Sequence, residues 1–293
     1  MALDFNISGA VNLTLTTAAL VNDRPYDHFH PSEWDQCHRK LAYKYYEYKG
    51  FIKVKGESGE IDPKSQRIFS NGHYVHYRWE EYLTATGTMR GRWYCILKDG
   101  SAKVYGADKK LGILKQEIPD EYIYCKYVEL GFLDEEVTLW GGHVDGIIDT
   151  TQWNPDAMSI PLAERQMVVM VEPLPAPEDT HIVVDFKSIN PFGYDKLKAP
   201  KPEHITQMQI YLYLTGLKAG KFIYENKGTQ DVKEYLVPRD DNFINVKVEE
   251  AKALRYIVEH TNAAGDRVLP KRKYRTRGNR ECADCKYRGN CWR

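Results

Sequence analysis

The positions of four cysteines constrain this fold more than any other feature of the sequence. Three form a C-x2-C-x5-C pattern at Cys282, Cys285 and Cys291, and the fourth, Cys37, stands alone near the other end. Four thiolates can hold an iron–sulfur cluster or zinc; the alternative is three surface thiols and an unrelated buried one. Cys37 and Cys282 lie 245 positions apart, and closing such a loop costs roughly 5 kcal/mol of chain entropy. A shared metal centre would therefore join two ends of the fold that have no other obvious anchor.

Composition excludes several classes of protein. The chain has 293 residues, of which 12% are aromatic and 28% charged, and its formal net charge is zero. A chain of this length can bury a core as one large or two small domains. Its zero net charge excludes a globally basic nucleic-acid binder, so any anion-binding site must be a local patch. Six cysteines are too few for a disulfide scaffold, and Cys95 and Cys125 are expected to be buried thiols. Without a signal peptide or an 18-residue apolar run, we expect a soluble, cytoplasmic protein with no membrane partner.

Periodicity and turn signals predict an α/β fold. Helices are expected at residues 32–49, with Cys37 in the second turn, and at 64–86, 205–217 and 246–261. A hairpin is expected within residues 122–150, and short strands at 181–187, 221–224 and 233–237. A stretch rich in proline and charge between Trp153 and Thr180 interrupts the sheet signal, apart from one candidate strand at 166–171. The cysteine-bearing segments would attach to one edge of this unit.

Two aspartates occur in apolar strand segments, where a carboxylate is costly unless a cation neutralises it. Asp145 ends the segment Gly-His-Val-Asp, and Asp185 follows three β-forming residues in Ile-Val-Val-Asp-Phe-Lys. Strand alternation places Asp185 and Lys187 on one face, with Phe186 on the other. Because hard divalent cations prefer carboxylate oxygens, the two aspartates favour a Mg2+ or Mn2+ site. The alternative is a structural salt bridge within a sheet.

Several motifs in order resemble the RecB-like branch of the PD-(D/E)XK nuclease superfamily, most closely the CRISPR-associated Cas-four exonucleases and the AddB nuclease domain. The resemblance spans about Pro31 to Cys291. Between the Cys37 segment and the C-x2-C-x5-C tail, the matching motifs are Gly72-x3-His76, Gly142-His-Val-Asp145, Asp185-Phe-Lys187 and Gln207-x3-Tyr211. Each motif is weak singly, but their order is specific. The distance from Asp145 to Asp185 exceeds the usual spacing of the branch, which an insertion at residues 151–180 would explain.

The resemblance implies a restriction-endonuclease-like core, with a mixed central sheet flanked by helices and an iron–sulfur-stapled helical subdomain built from both chain ends. It divides the chain into an N-terminal helical segment (1–63), a nuclease core (64–262) and a basic tail (263–293). The implied activity is that of a Mg2+- or Mn2+-dependent deoxyribonuclease, an exonuclease on single-stranded DNA in repair or recombination. A structural [4Fe–4S] cluster would be bound by Cys37, Cys282, Cys285 and Cys291.

The resemblance also implies roles for the residues of the catalytic centre. Asp145 and Asp185 would hold the divalent cation, with His76 as an additional ligand that favours Mn2+. Lys187 would position or deprotonate the attacking water and stabilise the developing charge. Glu129 is either a further acid near the metal or a solvated strand position.

A helical pair would support this centre. Gln207 and Tyr211 lie one helical turn apart on one face and would orient Lys187 or contact the scissile strand. Gln209 and Tyr213 have the same spacing on a different face, so the register of this motif stays open.

A basic run at residues 271–280 precedes the clustered cysteines. Its six cations are Lys271, Arg272, Lys273, Arg275, Arg277 and Arg280. Because Tyr274 interrupts the run and a metal centre would tether it, we interpret it as a track for single-stranded DNA. The alternative is a solvated tail.

Two rival functions remain open from sequence. One is a non-catalytic DNA-binding or assembly subunit of a recombination or CRISPR-adaptation complex, although the presence of His76, both aspartates and Lys187 argues against it. The other is a structure-specific endonuclease. The sequence contains no P-loop of the form G-x4-G-K-[ST], so a helicase, recombination or integration partner would be a separate chain.

Overall fold

A computed structural model describes residues 24–54, 62–86, 88–106, 122–150 and 180–292. The candidate strand at 166–171 and nearly all of the expected insertion at 151–180 lie outside these ranges. The described helices are α1 (His38–Tyr48), α2 (Pro63–Ala85), α3 (Pro191–Lys196), α4 (Pro202–Thr215), α5 (Asp241–Glu259), α6 (Arg280–Ala283) and α7 (Arg288–Cys291). None of these helices has both the length and the apolarity needed to cross a bilayer.

The described strands form one large and two small sheets. They are β1 (Met89–Arg90), β2 (Arg92–Leu97), β3 (Ala102–Gly106), β4 (Tyr122–Val128), β5 (Leu130–Leu133), β6 (Gly141–Val144), β7 (Gly146–Asp149), β8 (His181–Ile189), β9 (Ala219–Asn226) and β10 (Val232–Pro238). The large sheet has the order β1-β7-β8-β9-β10, with β8 and β9 parallel and the other neighbours antiparallel. The predicted α/β class with a mixed central sheet is therefore confirmed.

Helices cover both faces of the central sheet. On one face, Met208 of α4 packs with Val183 of β8. On the other face, the ring of Trp79 of α2 stacks on Phe186, with centroids 6.0 Å apart. Successive residues of β8 point to opposite faces, so Lys187 lies on the α4 side, as the sequence predicted. This alternation places the candidate catalytic residues of β8 beneath α4.

The small sheets lie between α2 and β7 in the chain. The predicted hairpin is present as β5 and β6, and the Asp134 carboxylate in its turn accepts the N–H groups of Val137 and Thr138. The other sheet has the order β3-β2-β4. Here Cys95 and Cys125 lie opposite each other and form a disulfide. The expectation that they are free thiols is wrong, because strand register brings them together.

The first predicted helix is shorter than expected. Pro31–Glu33 forms a 3-10 turn, and α1 begins only at His38. Cys37 is not in a second helical turn but is the extended N-cap residue, with a ψ of 113°. Its backbone N–H donates to the Glu281 side chain instead of to a helical carbonyl. At the other end, Gly50 adopts a φ of +74° and follows the last residues of the helix, close to the predicted end at residue 49.

Candidate active site and cysteine pocket

Three potential metal ligands converge from separate elements. His76 lies on α2, Glu129 between β4 and β5, and Asp145 between β6 and β7. One ligand atom from each lies within 4.8 Å of the other two. The Nδ1 atom of His76 is 3.3 Å from Oδ1 of Asp145, and Oδ2 of Asp145 accepts the Phe186 N–H at 2.7 Å. One imidazole and two carboxylates form a donor set that suits Mn2+ or Mg2+.

Burial and mutual charge perturb all three groups. Burial opposes protonation of His76, but the hydrogen bond and charge of Asp145 outweigh it and raise the pKa of His76 to about 9. Burial also works against the Asp145 carboxylate, yet contact with His76 holds the pKa of Asp145 below its ordinary value. Burial, reinforced by the charge of Asp145, raises the pKa of Glu129 to about 7. A bound cation would relieve the repulsion between these two carboxylates.

An ion pair and two hydrogen bonds connect Asp185 with the side chains of α4. The Nζ atom of Lys187 lies 2.6 Å from Oδ1 of Asp185 and donates to Oε1 of Gln207 at 3.1 Å. The Nε2 atom of Gln207 in turn donates to the Tyr211 hydroxyl at 3.2 Å. Burial raises the pKa of Asp185 to about 6 against the pull of Lys187. The charges of Asp185 and Asp145 outweigh burial and raise the pKa of Lys187, so its amine is an ammonium at neutral pH.

The helical pair that faces the site is Gln207 and Tyr211. Gln209 instead donates to the Pro238 carbonyl and accepts the Asp240 N–H, each within 2.9 Å. Tyr213 donates to Asp134 in the hairpin turn. In this structure, the alternative register therefore has structural contacts away from Lys187.

Two glutamates extend the site beyond the sequence motifs. Sequence left Glu129 open between a ligand and a solvated position, and the structure brings it to His76 and Asp145. Glu80 is only 3% exposed, and its Oε1 has no hydrogen-bond partner among the residues that the structure describes. Burial and the charges of Glu129 and Asp145 raise the pKa of Glu80 to about 7. Its position four residues after His76 is a sequence signal that would have indicated it, since such residues share a helix face.

An open groove of about 490 Å³ adjoins these acids. Helix α2 contributes Tyr77 and Glu80 to its lining, and Glu129 and His143 also border it. The remaining lining residues come from strands β2 and β4 of the three-stranded sheet: Arg92, Tyr94, Lys126, Tyr127 and Val128. The groove thus combines carboxylates at one boundary with cations and aromatic rings at another.

The four predicted cluster cysteines line one pocket, and none of them forms a disulfide. Burial and the charges of the other three cysteines raise the pKa of Cys282. No three of these thiols have sulfur atoms within 4.8 Å of one another in the described part of the chain.

Other contacts also link the two ends of the chain, contrary to the expectation that the segments lack another anchor. The Cys37 N–H donates to Oε1 of Glu281 at 2.8 Å. The ring of Tyr43 stacks on Tyr287, with centroids 5.2 Å apart, and the Tyr287 hydroxyl donates to Glu47 at 2.6 Å. Tyr287 is 1% exposed. A buried aromatic contact and hydrogen bonds therefore join the segments without a metal.

The basic run is divided between structural contacts and solvent. Arg272 donates to the Cys291 carbonyl, and Lys273 donates to the Asp35 carbonyl. The remaining four cations are exposed and form no ion pair with a described residue: Lys271, Arg275, Arg277 and Arg280. These four are available to an anionic ligand, and their role in binding DNA remains a prediction.

The second part of the chain matches one known family. Residues 170–292 match the model of the PD-(D/E)XK nuclease superfamily. The matched segment is less than half of the 293 residues. The matched segment contains Asp185, Lys187 and the helical pair, whereas His76, Glu129 and Asp145 lie outside it. No curated protein matches the chain.

Among solved structures, the chain is similar to the crystal structure of SSO0001, at 15% identity and a TM-score of 0.44, covering 97% of this chain and 95% of that one. It is similar to LHK-Exo in complex with dAMP, at 14% identity and a TM-score of 0.43, covering 80% of this chain and 89% of that one. It is also similar to the alkaline exonuclease LHK-Exo from Laribacter hongkongensis, at 16% identity and a TM-score of 0.41, covering 84% and 94%. These identities and TM-scores are too low to support an argument about fold or activity.

Proposed function

We propose that the protein is a metal-dependent deoxyribonuclease whose divalent cation is held by His76, Glu129 and Asp145, with Asp185 beside them. The observation that carries the proposal is the convergence of these ligands next to the partly buried ammonium of Lys187. The match of residues 170–292 to a nuclease superfamily supports it. One imidazole and several carboxylates, which together carry a net negative charge, form a set of ligands suited to Mg2+ or Mn2+.

The chain's own residues have defined tasks in phosphodiester hydrolysis. A divalent cation bound here would neutralise phosphate charge and activate a water molecule. The Lys187 ammonium is placed to stabilise the negative charge that develops on the phosphate oxygens. Its raised pKa favours this role over that of a general base. Gln207 fixes the position of Lys187, and Tyr211 fixes Gln207.

His76 couples cation binding to protonation. Its pKa of about 9 means that the ring carries a proton at neutral pH in the absence of a metal. That proton must leave before Nδ1 can bind a cation. Cation binding should therefore release protons and strengthen as the pH rises toward 9.

We further propose that the substrate is single-stranded DNA ends and that the chain belongs to the Cas-four and AddB-type branch. The support is the order of the sequence motifs and the exposed cations of the basic run. The proposal includes a structural [4Fe–4S] cluster on Cys37, Cys282, Cys285 and Cys291. The shared pocket of these four free thiols and the resemblance of their sequence spacing to that branch support the cluster.

The test is digestion of linear and circular single-stranded DNA by anaerobically purified protein with Mg2+, Mn2+ or EDTA. We expect cation-dependent loss of the linear strand and survival of the circle, because a circle has no end. Cleavage of the circle would instead indicate an endonuclease. Inactivity of the iron-replete protein on both substrates, with either cation, would refute the nuclease proposal. Stoichiometric zinc without iron in the same preparation would refute the cluster.

A further inference from the structure

We propose that the outer face of the β2–β4 pair is a binding surface for single-stranded DNA that leads the strand to the catalytic acids. The inference rests on the proposed nuclease function and names the surface that holds its substrate. This surface is distinct from the basic run, and none of the sequence motifs indicated it. It consists of Arg92, Tyr94, Tyr124 and Lys126, and we call it the strand face.

Strand register places these four side chains together. In the antiparallel pair, Tyr94 lies opposite Lys126, Arg92 opposite Val128, and Ile96 opposite Tyr124. Directly opposed residues project to the same face of a sheet, as do residues two apart along one strand. Cations and tyrosines therefore alternate along one surface. Tyr94 is 39% exposed and Tyr124 is 49% exposed among the described residues.

Neither cation is held in an ion pair within the described part of the chain. Arg92 and Lys126 form no salt bridge there, and the buried Nε of Arg92 has no hydrogen-bond partner among the described residues. Lys126 acts on Glu129 and Glu80 only through its charge. The Nζ atom of Lys126 lies 3.9 Å from the centre of the Tyr77 ring across the groove. Unpaired cations among exposed rings are complementary to a strand with anionic phosphates and unstacked bases.

The strand face is continuous with the candidate active site. Val128 ends β4, and the next residue is the proposed metal ligand Glu129. Arg92, Tyr94 and Lys126 line the same groove as Glu80 and Glu129. A strand bound along this face would therefore reach the cation site without leaving the groove.

The chemistry of the face selects single strands over duplexes. Bases can stack on tyrosine rings only when their own faces are free, whereas paired bases in a duplex are already stacked. The basic run offers mainly exposed cations, so it would contact phosphates with less discrimination between single strands and duplexes. We therefore assign the preference for single strands to the rings of the strand face.

The test measures binding of fluorescein-labelled oligothymidylate and of a hairpin duplex to the full-length Asp185→Asn protein in Mg2+. In that background we compare Tyr94→Leu and Lys126→Gln with matched controls on α5, Tyr256→Leu and Lys252→Gln. Tyr256 is 65% exposed, and the Lys252 side chain is 48% exposed. Thermal unfolding of each variant checks that the fold is retained.

We expect Tyr94→Leu to weaken binding of the single strand about fivefold or more, with a much smaller effect on the duplex. Lys126→Gln should reduce the slope of log affinity against log salt by about 0.7, the value for one phosphate contact on a single strand. The α5 controls should change neither quantity. A merely structural role for Lys126 would not alter the salt slope.

The outcomes separate this inference from the proposed function. If the wild type cleaves single strands while both substitutions bind like their controls, the strand face is refuted and the nuclease stands. Equal losses for single strand and duplex would refute the assigned preference. If the wild type shows neither binding nor cleavage, the proposed function fails and the inference fails with it.

Discussion

Replacing Glu129 with glutamine should stabilise the cation-free protein at neutral to alkaline pH and weaken its response to Mn2+. Burial and the charge of Asp145 raise the pKa of Glu129 from an ordinary 4.5 to about 7. Each pKa unit corresponds to about 1.4 kcal/mol, so the ionised carboxylate lowers the free energy of unfolding by about 3 kcal/mol above pH 7. An amide of nearly the same shape removes this charge. It also relieves Glu80, whose pKa is raised partly by Glu129.

The pH dependence of this effect has a definite sign. A carboxyl group with a higher pKa in the folded state binds protons more readily there, so its contribution to stability is lost as the pH rises. For Glu129 the loss should occur between pH 4.5 and about 7. The cation-free wild type should lose stability across this window, and Glu129→Gln should lack that part of the loss. Below pH 4.5 both proteins are protonated at this position and should differ little.

The assay is urea unfolding in EDTA below and above this window, at equal iron content, followed by addition of Mn2+ above it. A ligand that binds only the folded state stabilises it according to its concentration and affinity, so Mn2+ should stabilise the wild type more than Glu129→Gln. Glu249→Gln is the control, because that side chain is 71% exposed. The reasoning is refuted if Glu129→Gln follows the wild-type pH profile, or if Mn2+ stabilises both proteins equally.

Three further sets of substitutions address the rest of the site. Asp185→Ala should abolish cleavage with either cation while the circular dichroism spectrum stays unchanged. Lys187→Ala should still bind DNA but cleave it about 100-fold or more slowly. Near-wild-type rates would contradict the catalytic roles of these two residues. His76→Ala should reduce cleavage more with Mn2+ than with Mg2+, since imidazole favours Mn2+, and wild-type rates with both would make His76 an ordinary helix residue. Cys37→Ala should give colourless protein that binds single strands more weakly and with a flatter salt dependence, as should neutralising Arg275, Arg277 and Arg280. Unchanged affinity and slope would separate the cluster from DNA binding.

The sequence predicted those parts of the site that depend on local periodicity. Alternation along β8 put Asp185 and Lys187 on one face, and helical spacing paired Gln207 with Tyr211. The choice between this pair and Gln209 with Tyr213 required tertiary contacts, because both pairs satisfy the same spacing. Gln207 contacts Lys187, whereas Gln209 and Tyr213 make structural contacts elsewhere, and these contacts distinguish the two registers.

Features that depend on non-local register were not predictable from the sequence. Glu129 approaches His76 and Asp145 because α2 lies beside the ends of β4 and β6, and no periodic pattern specifies that approach. Cys95 and Cys125 pair because β2 and β4 are antiparallel in one particular register. The strand face has the same origin, since its cations and tyrosines come from two strands that are separated along the chain.

Direct contacts join the ends of the fold independently of the proposed metal centre, and this changes the role expected of the cysteines. Glu281, directly before the proposed ligand Cys282, accepts the backbone N–H of Cys37. This hydrogen bond links the segments that carry the first and second of the proposed cluster cysteines. The buried Tyr287 lies between Cys285 and Cys291 and stacks on Tyr43 of α1. These contacts already close the long loop between Cys37 and Cys282. A cluster-free variant such as Cys37→Ala should therefore lose stability at this junction but retain the α/β core. In this arrangement, the cluster would bind a pocket that the protein has largely formed, and its main contribution would be to hold the basic run in place.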